Sequence, residues 1–190
     1  MAKIAFIDLE TTGLDPHKNG VHQISGQIYI DGELMEEFDI KSRPLDTDVI
    51  DDSALEVGGV TREQVMSYQS ARDAYNQLVG ILGKYVNKYD KLDKYYFAGY
   101  NSSAFDTKFL RAFFEKMGDK YFGSFFFSNS LDVMTLATPY LMDKRCGMAN
   151  FKQSTVAKEL GIPIEEEALH NATYDVELCK KIYEKTINKW

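Results

Sequence analysis

Apolar residues fill both faces of the segment Lys3 to Leu9, the pattern of a central strand covered on two sides. Val21 to Ile30 carries alternating apolar positions, Asp31-Gly32 supplies a hairpin turn, and Leu34 to Ile40 reads as the return strand, ended by Pro44. A short helix is predicted over Ser53 to Glu56, broken by Gly58-Gly59. Helical spacing then links Ala71, Tyr75, Leu78, Leu82, Tyr85 and Tyr89. Tyr95 to Gly99 reads as another buried strand. Phe105, Phe109, Phe113 and Met117 mark a helix that stops near Gly118. Leu131 to Leu141 is read as helical until Pro139, Asn150 to Leu160 as a helix closed by Gly161, and Asn171 to Asn188 as the last helix. Strands first, then helices interleaved with more strand, predict an α/β fold with a central mixed β-sheet flanked by helices.

The chain has 190 residues, no internal repeat and no Pro/Gly/Ser linker, so residues 1–190 are expected to form one domain. With 44% hydrophobic and 27% charged residues it reads as a soluble globular protein. The net charge of −7 argues against a broad basic grip on nucleic acid, yet it suits a carboxylate cluster that recruits metal cations. Cys146 and Cys179 are too few for a disulfide framework, and no segment approaches a signal peptide or membrane span. A cytoplasmic protein with no membrane attachment is expected.

Four carboxylates stand where apolar residues are expected. Asp8 and Glu10 lie at i and i+2 of the first strand, so they project from the same face as Ile4 and Phe6. Paired like charges at the end of a buried strand repel each other and lose hydration unless something positive compensates. The strand runs straight into the small-residue turn Thr11-Thr12-Gly13, and ligands bind where strand ends open into loops. Asp106 shares the apolar stripe of Phe109, Leu110, Phe113 and Met117, though an Asp there could equally cap the helix. Asp175 shares the inward face of Cys179 and Ile182, with His170 five residues before it. Converging carboxylates without cysteine or further histidine favour Mg²⁺ or Mn²⁺ over zinc. A pair of such ions serves phosphoryl transfer, and a histidine with a pKa of about 6.5 is suited to taking a proton from water.

Three blocks in order resemble the DEDDh family of 3′→5′ exonucleases, of the RNase H-like superfamily and similar to polymerase proofreading exonuclease domains. They are Phe6-Ile7-Asp8-Leu9-Glu10-Thr11-Thr12-Gly13-Leu14, then Gly99-Tyr100-Asn101-Ser102-Ser103-Ala104-Phe105-Asp106, then His170-Asn171-Ala172-Thr173-Tyr174-Asp175. Gly59-Val60-Thr61, Leu131 to Ala137 and Leu160-Gly161-Ile162 are similar to the family's intervening segments. The second block starts Tyr100-Asn101 and takes one residue more than the common form.

The resemblance implies an RNase H-like exonuclease fold and two Mg²⁺ or Mn²⁺ ions held by Asp8, Glu10, Asp106 and Asp175. Asp8 would bridge both ions, with Glu10 and Asp175 completing one shell and Asp106 holding the other. His170 would be the general base. The backbone at Thr11 and Thr12 would receive the terminal 3′-hydroxyl, Leu14 would pack on the last base, and Asn101 and Phe105 are further substrate-contact candidates. The implied substrate is a single-stranded or frayed DNA 3′ end, released as nucleoside 5′-monophosphates, with a polymerase or replication protein as a partner. RNA or short oligoribonucleotides are the alternative substrate, because the metal motif does not read the sugar. A catalytically idle module that binds nucleic acid is the alternative of a different class, and all five motif positions are filled against it.

Other candidates have simpler explanations. His17 and His22 are expected in exposed loops. Glu165-Glu166-Glu167 reads as solvated surface, Phe125-Phe126-Phe127 as core, and Asp132 as a helix cap.

Overall fold

The computed structural model describes residues 1–169 and 171–187. Its centre is a sheet whose spatial order departs from chain order. β1 (Lys3–Thr11), β2 (Val21–Ile30) and β3 (Glu33–Lys41) form an antiparallel meander. β4 (Tyr96–Gly99) and β5 (Leu131–Asp132) then add parallel strands on the other side of β1, giving the order β3-β2-β1-β4-β5. The β2–β3 turn follows the expected residues. Asp31 and Gly32 both take positive φ, 50° and 89°, the backbone that lets a two-residue turn match strand twist.

Helices cover both faces. α1 (Asp52–Val57) and α2 (Arg62–Met66) are short, and α2 begins with a capping box in which the Thr61 hydroxyl accepts from Gln64 N–H. α3 (Ala71–Leu82) and α4 (Asp106–Lys116) pack Leu78, Leu82, Phe109 and Phe113 against Ala5, Ile7 and Leu9 of β1. A second cluster packs Phe6 against α6 (Val133–Leu141), α7 (Gln153–Glu159) and α8 (Ala172–Ile187), through Val133, Val156, Val176, Cys179 and Ile182. The alternation of β1 thus sends odd residues to one core and even residues to the other. Asp8 and Glu10 fall on the α8 side.

Several expected boundaries move. α3 stops at Leu82, where Gly83 caps it, so Tyr85 and Tyr89 lie outside the helix; Tyr85 instead donates to Glu36 at 3.0 Å. Leu131 and Asp132 are strand, paired to Ala98 and Gly99, before the helix begins. Asp132 is its cap, accepting from Met134 N–H at 3.1 Å and Thr135 N–H at 3.3 Å. Pro139 lies inside α6 and does not end it. The helix expected from Asn150 starts at Gln153, because Asn150 Oδ1 accepts from Lys152 N–H and Thr155 Oγ1 in a turn. A further short helix, α5 (Phe122–Phe125), buries Phe122 and Phe125. Among the described residues, no helix is long and apolar enough to cross a membrane.

Candidate active site

The site forms where β1 outruns its parallel neighbour. Pairing between β1 and β4 stops at Phe6 opposite Ala98, whereas pairing with β2 continues to Thr11. Past that stop, the Leu9 N–H donates to Asp106 Oδ1 at 3.2 Å. Asp106 is the first residue of α4 and only 4% exposed. From the other side, α8 brings Asp175 in its first turn, where its backbone carbonyl accepts from Gln153 Nε2 at 2.6 Å. Lys152, Gln153, Ser154 and Leu169 line a cleft beside Asp175.

These carboxylates feel one another. Burial pushes the Asp8 pKa well above its ordinary value, and Asp106, Glu10 and Asp175 push it further. Glu10 rises to about 7, through burial and then Asp175, against the opposing pull of Lys41. Asp106 also rises to about 7 through burial, although the backbone N–H groups of Asp106 and Leu9 pull it down. Near neutral pH such a set is only partly ionised until positive charge arrives, and its oxygen donors suit a hard divalent cation. Among the described residues, no three His, Cys, Asp or Glu side chains are drawn into a finished ligand set. The fit to such a cation therefore lies in the donor chemistry and the shared charge deficit.

The loop after β1 is tightly built. Asn19 Oδ1 accepts from Asp15 N–H at 2.9 Å, while its Nδ2 donates to the carbonyls of Thr12 at 3.2 Å and Val49 at 3.0 Å. Lys116 donates to the Asn19 carbonyl and to Asp48 Oδ1, both at 2.6 Å, tying the end of α4 to this loop. A Cβ on Gly13 would stand 2.3 Å from Asn19 Nδ2 and Asp51 Oδ2, so any other residue would displace this hydrogen-bonded pair of side chains. Thr12 is committed here: its hydroxyl donates to Val49 O and accepts from Gly20 N–H, and its backbone N–H donates to Gly20 O. Its backbone carbonyl accepts from Asp51 N–H at 2.8 Å. These bonds fix the course of the backbone at Thr12. Thr11 is buried and its hydroxyl donates to Gly13 O at 2.7 Å. Leu14 is 83% exposed at the tip.

On the α4 side, Asn101 takes the left-handed φ of 58° with its side chain exposed, and half-buried Phe105 packs its ring 4.7 Å from that of Phe109. His170 lies outside the described residues. His17 is exposed as expected, but His22 is not: it sits on β2, 1% exposed, with neither ring nitrogen hydrogen-bonded. Burial and Lys41 lower its pKa to about 4. The expectation of an exposed loop fails there because the strand begins at Val21.

One polar assembly has no local motif in the sequence. On the Asp8/Glu10 face, Glu10, Gln23 and Lys41 form one cross-strand row, and Asp8, Ser25 and Asp39 the next. Gln23 Nε2 and Ser25 Oγ each donate to Asp39 Oδ1 at 2.7 Å. The alternation of Val21 to Ile30 was the signal available, since it puts Gln23, Ser25 and Gln27 on one face.

Residues 5–183 match the family described as Exonuclease. The chain belongs to the exonuclease family. Its fold is the RNase H-like exonuclease fold, as the three motifs implied. Three solved structures carry this fold. E. coli exonuclease I with a dT13 oligonucleotide is 18% identical, with 100% of this chain and 41% of that chain covered and a TM-score of 0.77. The zinc-ion-bound form of the E. coli ExoI–ssDNA complex is 16% identical, with the same coverage and a TM-score of 0.78. An ExoI/SSB-Ct complex is 15% identical, with 100% of this chain and 42% of that chain covered and a TM-score of 0.76. This chain thus spans about two-fifths of the length of these relatives. No curated protein matches the sequence.

Proposed function

We propose that the chain is a metal-dependent 3′→5′ exonuclease that removes nucleoside 5′-monophosphates from single-stranded or frayed DNA ends, with residues 1–190 acting as one domain. The observation that carries this is the convergence at the end of β1, where Asp106 of α4 accepts from Leu9 N–H between Asp8 and Glu10 and α8 brings Asp175 close enough to raise the pKa of both strand carboxylates. Membership of the exonuclease family supports the reaction class, and the oligonucleotide bound to exonuclease I supports the substrate.

Asp8, Glu10, Asp106 and Asp175 would hold two Mg²⁺ or Mn²⁺ ions. When bound, those ions supply charge that makes water more acidic and stabilises a leaving oxygen. His170 would take the proton of the attacking water as that oxygen bonds to phosphorus. The bond from phosphorus to the 3′-oxygen of the preceding nucleotide breaks, and that oxygen takes a proton from solvent. The backbone at Thr11 and Thr12 would receive the terminal 3′-hydroxyl, Leu14 would pack on the last base, and Asn101 and Phe105 would flank the strand.

The test is stepwise shortening of 5′-labelled single strands of DNA and RNA of one sequence with Mg²⁺ or Mn²⁺. DNA should be shortened faster, chelation should stop it, and His170→Ala should slow it greatly with metal affinity retained. Cleavage that survives Asp8→Ala, in protein free of contaminating nuclease, would refute the mechanism. Faster shortening of RNA would refute the choice of sugar.

A further inference from the structure

The cross-strand row beside the carboxylates ends in a cation. Glu10 faces Gln23 across β1–β2, and Gln23 faces Lys41 across β2–β3. Two strand spacings separate Glu10 from Lys41, about 10 Å between backbones, a gap that a lysine side chain spans for much of its length. β1 and β3 run in the same direction, so the ends of both strands open on the same edge of the sheet.

Lys41 is mounted, not merely attached. Its backbone carbonyl accepts from Gln69 Nε2 at 3.0 Å, and the next residue, Ser42, donates its N–H to His22 O at 2.9 Å. Beneath its side chain stands Asp39, whose Oδ1 is occupied by Gln23 Nε2 and Ser25 Oγ. The ammonium lies 3.7 Å from Asp39 Oδ2, longer than the roughly 2.7–2.9 Å of a close charge-assisted hydrogen bond. Its side chain is 39% exposed. Asp39 therefore steers the ammonium without consuming it, leaving donor capacity toward solvent at the rim of an acidic site that would otherwise repel a polyanion.

We propose that Lys41 is a substrate-binding residue that donates to a phosphodiester oxygen of the strand whose 3′ end lies at Asp8 and Glu10. This rests on the nuclease reading above. Gln23, Ser25 and Asp39 are its positioning residues.

The experiment compares wild type, Lys41→Met and Lys41→Arg on a single-stranded oligodeoxynucleotide. Binding is read by fluorescence anisotropy without divalent cation, and turnover is read across a Mg²⁺ titration. For Lys41→Met, weaker binding and a KM raised about tenfold are expected, as for loss of one hydrogen bond to a charged group. Its kcat and the Mg²⁺ concentration for half activation should stay within about twofold. The slope of log affinity against log salt should fall by about 0.7, the value for one single-strand phosphate. Lys41→Arg should restore most of the binding. Unchanged binding and KM, or a loss confined to kcat and Mg²⁺ activation, would overturn the proposal, the latter because Lys41 would then act through Glu10. A wild type inactive on every 3′ end would overturn the nuclease reading as well, which distinguishes the two failures.

Discussion

Asp106 Oδ1 accepts a hydrogen bond of 3.2 Å from the backbone N–H of Leu9, so a carboxylate from α4 is clamped to the residue between Asp8 and Glu10. The bond serves two purposes. It satisfies a buried donor that strand pairing leaves over, and it sets the distance between acidic groups from two elements.

Charge and hydrogen bonding at Asp106 are separable by substitution. Asp106→Asn keeps an acceptor for Leu9 N–H and removes the repelling charge, so its urea stability should match or exceed that of wild type. Asp106→Ala leaves a buried N–H unpaired and should be less stable than the Asn variant by about 1–3 kcal/mol. Both should lose at least about a hundredfold in nuclease rate, as expected for loss of several kcal/mol of transition-state stabilisation. Equal stability of the two variants would disprove the clamp.

Metal-free stability should depend on pH in a direction set by Glu10 and Asp106. Both have folded pKa values near 7, above their ordinary 4.5 and 3.8. The folded state therefore holds protons that the unfolded chain has released. Their contribution is fully present below those ordinary values and lost as pH rises through about 7. Denaturation without divalent cation should thus show wild type losing more stability between pH 5 and 8 than Asp8→Asn, in which one repelling charge is gone. Mg²⁺ should bind more weakly below about pH 7 and release protons on binding, measurable by calorimetry in buffers of different ionisation heat.

His22 should oppose this trend. Its folded pKa of about 4 lies below the ordinary 6.5, so its contribution is lost as pH falls from 6.5 towards 4. A volume-conserving apolar substitution such as His22→Leu should remove that part of the acid loss. An unchanged pH profile would mean that the ring takes up its proton alike in the folded and unfolded states, and would refute the lowered pKa.

The loop after β1 offers a contrast between a support and a tip. Asn19→Ala removes several buried hydrogen bonds and should cost about 2 kcal/mol or more in stability, while raising KM. Leu14→Ala, at an exposed position, should change stability by less than about 0.5 kcal/mol yet raise KM severalfold. Kinetics of Leu14→Ala indistinguishable from wild type would remove this residue from the substrate path.

Local chemistry made much of this legible from residues alone. Asp31-Gly32 marked its hairpin because positive φ is tolerated there, and Asp8 and Glu10 stood out because a buried strand should not end in paired charges. Asp132 was readable as a cap because its partners lie within three residues. What escaped depended on partners distant in the chain. Nothing near Lys41 reveals that Gln23 and then Glu10 stand beside it, since strand register is set by the whole hairpin. Tyr85 and Tyr89 kept helical spacing past Gly83, where the helix had already ended. Pro139 reads as a stop, yet the chain continues as helix through Leu141, whose burial holds that last turn in place.

The early end of β4 sets how much of β1 a ligand can reach. β2 backs β1 along its full length, while the parallel side stops at Phe6, three residues short of Leu9. The result is a ledge: rigid behind, open in front, with its width set by strand length and not by any side chain. Extending β4 by two or three paired residues would zip that ledge shut and displace Asp106 from Leu9, even with every acidic residue retained. A protein of this shape could thus lose its chemistry through backbone pairing alone, leaving a sequence in which all the acidic motif residues still read as intact.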